Sequence, residues 1–139
     1  DRPMVYVDDF ESLERKTDIT QIKPEERPEG IAVELADCII RILDWCGSVK
    51  IDIDNILKSR RAGDMYYTLS ELVAECHWTL SKAWQEYGYG VDNVGLSIAE
   101  CVHLIQFWCE NNEIDLDHII QLKHEYNKTR PWRHNGKRC

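Results

Sequence analysis

The sequence predicts an all-α protein, and three observations carry that. Four long segments repeat apolar residues at helical spacing, and no stretch alternates convincingly as a strand. The third is an internal repeat at an offset of 63 residues, which uses one helical unit twice.

A chain of 139 residues suits one domain and is long enough to bury a proper core. Its formal net charge of −8 argues against general nucleic-acid binding, which needs a basic surface, and is compatible with collecting divalent cations. No apolar run approaches transmembrane length and no signal peptide is visible, so the sequence predicts a cytoplasmic protein with no membrane partner. The chain opens at Asp1 with no initiator Met, which suits a processed or trimmed piece of something longer. Six cysteines contain no Cys-x-x-Cys pair. Cys38, Cys46, Cys76, Cys101 and Cys109 sit in apolar helical patterns and read as buried reduced thiols, with Cys139 terminal and free.

Residues 1–29 are charged and irregular, with Pro24, Pro28 and one apolar run at Met4–Val7; they read as an arm. The helical domain covers residues 30–139. Its first helix spans Gly30–Gly47, with Gly47 as a natural C-cap. A short helix spans Ile51–Ser59 with Asp52 or Asp54 near its start, and Arg60–Asp64 is a polar connector. A third helix runs from about Thr68 to Tyr87, capped by Thr68 or Ser70. Its apolar stripe is Leu69, Leu72, Val73, Cys76, Leu80, Ala83 and Tyr87. A fourth spans about Val94–Asn111 after Asp92 or Asn93, and a last one about Leu116–Lys128. Pro131 ends the helical part and leaves a basic tail, residues 131–139.

The first helix is the chemical centre. Glu34, Asp37, Arg41 and Asp44 are its polar residues, and at about 100° per residue they fall within an arc of roughly 80°. The rest of its surface is apolar or small, so it is expected to be packed on most sides. Three carboxylates in a narrow slot repel one another unless a cation or donors compensate them. Glu34 and Asp37 form an E-x-x-D pair on adjacent turns, which suits a hard cation such as Mg²⁺. A solvated helix face gives the same spacing.

The repeat aligns residues 31–58 with 94–121, half-repeats of about 30–60 and 68–130. Nine of 28 positions are identical, namely Ala36/Ala99, Cys38/Cys101, Ile42/Ile105, Trp45/Trp108, Cys46/Cys109, Ile51/Ile114, Asp52/Asp115, Asp54/Asp117 and Ile56/Ile119. The acidic stripe does not survive: Glu34, Asp37, Arg41 and Asp44 become Ser97, Glu100, Leu104 and Phe107. The second copy keeps the packing and has specialised for structure.

The run PEGIAVELADCIIRILDWCG, the IDID after it, and the closing K-H-E-Y-N-K-T-R-P-W-R-H-N-G-K (residues 123–137) together resemble the MazG-like family of all-α nucleoside triphosphate pyrophosphohydrolases. The likeness runs from about Pro28 to the C-terminus. It implies a house-cleaning hydrolase that cleaves (d)NTP to the monophosphate and pyrophosphate with Mg²⁺ or Mn²⁺, as a homodimer or higher homo-oligomer. By the resemblance Glu34 and Asp37 are catalytic metal ligands and Asp44 a further ligand position. Lys123, Asn127 and Arg130 match the tail pattern and would bind the substrate's phosphates. The family's preceding E-x-x-E helix has no counterpart in residues 1–29, where Glu11 and Glu14 have the spacing without the apolar helix. That element lies upstream of Asp1 or has been replaced; the candidate replacement is Glu71 and Glu75, at i, i+4 in SELVAE. In another register Cys76 and Thr79 occupy the motif positions and the second copy is degenerate. The alternative function is a non-catalytic nucleotide-binding or dimerisation protein of the same fold.

Overall fold

Helix α1 (Ile31–Val49) begins where Gly30 lets the chain turn. Gly30 has a φ of 113°, and a Cβ there would run into the carbonyl of Met4, whose oxygen accepts the Ala32 N–H at 3.1 Å. Only glycine meets both demands without strain. The structure is a computed structural model that describes residues 4–8, 15–16, 18–59, 67–90 and 94–130. Glu11, Glu14, Arg60–Asp64, Asp92, Asn93 and everything from Pro131 onward, including Cys139, lie outside the described residues.

The fold is all-α, with five helices among the described residues. In α1 the buried positions are Ala32, Val33, Ala36, Ile39, Ile42 and Cys46, while Glu34, Arg41, Asp44 and also Leu43 are exposed. Thirteen of its nineteen residues are buried or half-buried, and the exposed ones fall in the polar slot except Leu43 and Gly47, so the helix is covered on most sides as its composition suggests.

The end of α1 is a correction. The helix passes through Gly47 and stops at Val49, and Lys50 takes the left-handed turn at φ 61°. The Ile51 N–H closes it by donating to the Cys46 carbonyl at 2.9 Å, a Schellman-type bond. Residues beyond the helix set the stop, because Ile51 and Ile56 approach the Cα of Gly95 on α4. Helix α2 (Ile53–Ser59) then starts on Asp52, whose carboxylate accepts the Asn55 N–H at 3.3 Å.

Helix α3 (Leu69–Gly88) starts at Thr68 with a full capping box. Its buried residues are Leu72, Cys76, Thr79 and Ala83; Val73 and Tyr87, counted in the predicted stripe, face solvent. Thr79 belongs to the core because its hydroxyl donates to the carbonyls of Glu75 and Cys76, both at 3.0 Å, so it brings no unsatisfied polar atom inside. Helix α4 (Val94–Asn111) has the predicted bounds. It packs along α3 and against α2, and the indole N–H of Trp108 donates to the Tyr67 carbonyl at 3.1 Å. It ends as α1 does: Glu113 has φ 56° and the Ile114 N–H donates to the Cys109 carbonyl at 2.9 Å, 63 positions after Lys50 and Ile51. Helix α5 (Leu116–Thr129) buries Leu116, Ile119 and Lys123, one face at i, i+3, i+7.

The arm is more ordered than its composition suggests. Tyr6 and Glu29 exchange backbone hydrogen bonds at 2.9 and 2.8 Å, and Val5, Tyr6 and Val7 are buried. A two-residue strand β1 (Val7–Asp8) pairs antiparallel with β2 (Arg15–Lys16), too short to leave an alternating pattern. Asp18 caps a single 3₁₀ turn, Ile19–Gln21.

Two units can be distinguished. One holds the residues up to Cys38 together with those from Leu116 onward; the other is Ile39–Asp115. None of the five described cysteines is in a disulfide; Cys46, Cys76, Cys101 and Cys109 are buried as expected and Cys38 is only half-buried. No described helix is long and apolar enough to cross a membrane.

Candidate functional site

Glu34 and Asp37 stand on the first two turns of α1, within the first unit. Glu34 is exposed in the first turn, where the positive end of the helix dipole favours a carboxylate. Asp37 is turned inward and half-buried. Its partner is Lys123 of α5, with Nζ 3.9 Å from Oδ1, and both residues belong to the same unit. Lys123 is buried, and an ammonium taken out of water needs such a partner. The E-x-x-D segment and the K-H-E-Y-N-K-T-R segment, far apart in the sequence, are thereby joined.

The other tail residues sit on the same helix. Asn127 is half-buried, one turn beyond Lys123. Arg130 closes the described chain, with its guanidinium carbon 5.7 Å from the ring centroid of Tyr126. That contact holds the guanidinium plane near the aromatic face and leaves its forked donors for anions.

Asp44 is exposed on α1 but belongs to the second unit, as do Glu71 and Glu75. Glu71 is occupied by the helix start. Its Oε2 accepts the Thr68 N–H at 2.7 Å and the Thr68 hydroxyl at 2.9 Å, and those bonds, the backbone one first, hold its carboxyl below the ordinary range. Glu75 is half-buried and offers its backbone carbonyl to Thr79. Cys76 and Thr79, the alternative motif positions, are core residues.

Mg²⁺ requires several oxygen ligands, drawn from carboxylates, waters and phosphates. Glu34 and Asp37 supply two carboxylates, one of them already paired with Lys123. Among the described residues, no three His, Cys, Asp or Glu side chains are grouped so as to hold a metal ion. The described residues therefore do not complete the expected metal set.

In the second unit the contacts of α4 with α3 were not legible as a polar site. Ser97 and Glu100 stand where the repeat places Glu34 and Asp37. Ser97 donates to Glu86 at 2.7 Å, and Glu100 pairs with Lys82 at 3.6 Å. The i, i+4 pair Lys82 and Glu86 was the available signal. In both units the second acidic position of the motif faces a lysine from another helix.

Compared with protein-family models, with curated proteins and with solved structures, the chain matches none.

Proposed function

We propose that this chain acts on nucleoside triphosphates as a MazG-like pyrophosphohydrolase, releasing pyrophosphate and the monophosphate. The observation that carries the reading is the Asp37–Lys123 pair, which joins the acidic and basic segments that the resemblance assigns to one site. Each residue then has a distinct task. Arg130 and Asn127 offer forked and amide donors to phosphate oxygens. Lys123 holds the Asp37 carboxylate in place by charge. Glu34, exposed one turn earlier, presents its oxygens to solvent. Mg²⁺, or Mn²⁺ in its stead, would supply charge neutralisation of the phosphates. Two carboxylates do not complete its site, so the reading assigns no step to the ion. A homodimer or larger homo-oligomer belongs to the same reading.

The rival is a non-catalytic nucleotide binder or dimerisation module, in which Asp37 and Lys123 hold the fold together without a metal step. Incubating the chain with a panel of (d)NTPs and Mg²⁺ while assaying pyrophosphate separates the two. Release that is lost in Glu34→Gln and in Asp37→Asn supports the enzyme. Nucleotide binding by calorimetry with no release supports the rival and overturns the enzyme.

A further inference from the structure

Most of the large exposed hydrophobic residues among the described ones lie on or at the end of α3. Trp78 and Trp84 are 64% and 69% exposed, Tyr87 is 45% and Val73 44%, and Tyr89 at the C-cap is 86% exposed. At about 100° per residue the residues Ser70, Val73, Ala74, His77, Trp78, Leu80, Ser81, Trp84, Gln85, Tyr87 and Gly88 occupy roughly half the helix circumference. None of them is acidic, lysine or arginine, in a protein that is 30% charged. The charged residues of α3, namely Glu71, Glu75, Lys82 and Glu86, are gathered along one edge.

Area and charge say what this face is for. The three aromatics of this face, Trp78, Trp84 and Tyr87, leave on the order of 400 Å² accessible. That matches the largest apolar patch of a typical monomer, about 300–600 Å². The remainder of the face brings it toward the ~800 Å² that each partner buries in a stable interface. The ring of Tyr87 also packs edge-on against Trp45 of α1 at 5.2 Å and tilts against Trp84 at 6.3 Å, which restrains the Trp84–Tyr87 part of the face.

We infer that the exposed face of α3 is the contact surface between two copies of this chain, which pair through it about a two-fold axis. Bodies of net charge −8 repel, and a face without charge is where two of them can approach. The same helix carries both halves of the fit. Val73, His77, Leu80, Trp84 and Tyr87, at spacings 4, 3, 4 and 3, form a ridge. Ala74, Ser81 and Gly88, seven apart, form the groove beside it. A ridge and groove on one element are self-complementary, as an isologous interface requires. The inference sharpens the oligomer part of the proposed function and is independent of its chemistry, because mass measures one and pyrophosphate release the other.

The test is light scattering coupled to size exclusion on the full chain, with circular dichroism as a folding check. The expected wild-type mass is twice that of one chain. Val73→Glu with Trp84→Glu is expected to halve it at unchanged helicity, and so is Ala74→Lys with Ser81→Lys. Lys58→Glu, on the exposed side of α2, should leave the dimer intact. A single-chain mass for the wild type at its highest soluble concentration overturns both the surface and the oligomer. A dimer that survives both folded double variants overturns α3 as the surface, including the case where another protein or a lipid vesicle proves to be its occupant.

Discussion

Lys123 and Asp37 form a partly buried ion pair: their side chains are 10% and 20% exposed, with 3.9 Å between charged atoms. Breaking one side of a partly buried pair strands the other charge, which costs more than the pair contributes over an apolar substitute. Asp37→Ala and Lys123→Met are each expected to lower stability by about 1–2 kcal/mol, and the double variant by less than their sum. Urea unfolding of all four proteins measures the coupling. Additivity to within ~0.5 kcal/mol would remove the pair from the account of the site.

Gly30 and Gly47 should respond to alanine in opposite directions. At Gly30 the backbone has φ 113° and a Cβ would meet the Met4 carbonyl, so Gly30→Ala is expected to cost at least ~2 kcal/mol. Gly47 lies inside α1 with open space where a Cβ would go, so Gly47→Ala should stabilise by about 0.5–1 kcal/mol. Thermal unfolding of the two variants reports both signs.

The Thr68–Glu71 box predicts a pH signature. Its hydrogen bonds hold the Glu71 carboxyl below its reference value of 4.5 in the folded chain. A carboxylate with a depressed folded pKa adds stability that is present above the unfolded value and lost as pH falls through the folded one. Acid unfolding below about pH 4.5 should therefore be less steep in Glu71→Gln than in the wild type. Thr68→Ala removes the N-cap itself and should cost about 1 kcal/mol at neutral pH. Equal acid limbs in the wild type and Glu71→Gln would show that the box does not hold the carboxylate.

Thiol labelling should divide the cysteines by burial. Desolvation pushes Cys109 up to about 11 and Cys46 above its usual value, while the neighbouring Cys76 thiol and burial raise Cys101. With little thiolate at mildly alkaline pH, Cys46, Cys101 and Cys109 are expected to resist iodoacetamide in the folded chain and react after denaturation, and Cys76 is expected to do the same because it is buried. Peptide mapping by mass reads each site. Labelling of Cys101 under native conditions would contradict its place inside the α3–α4 packing.

Sequence periodicity located the helices because local pattern decides them. The bounds of α4 agree, and the cap at Thr68 was one of two choices. It misplaced the end of α1 because the stop depends on Ile51 reaching α4, a tertiary demand that overrides the local attraction of Gly47 for a cap. It counted Val73 and Tyr87 as core because spacing alone does not tell a buried stripe from an apolar stripe facing water. At the candidate site Glu34 and Asp37 stood out by spacing. The turn of Lys123 toward Asp37 did not, since two residues from opposite ends of the chain meet only through the fold.

The matching ends of α1 and α4 make the two helix exits interchangeable parts. Lys50 and Glu113 sit in the same left-handed turn, and the same bond from an isoleucine N–H to a cysteine carbonyl shuts each helix at 2.9 Å. Neither lysine nor glutamate favours that conformation, so the turn is dictated by the residues on either side of it. The nine-residue block Cys46–Asp54 could then be exchanged for Cys109–Asp117 like a standard fitting, leaving each helix the length it has now.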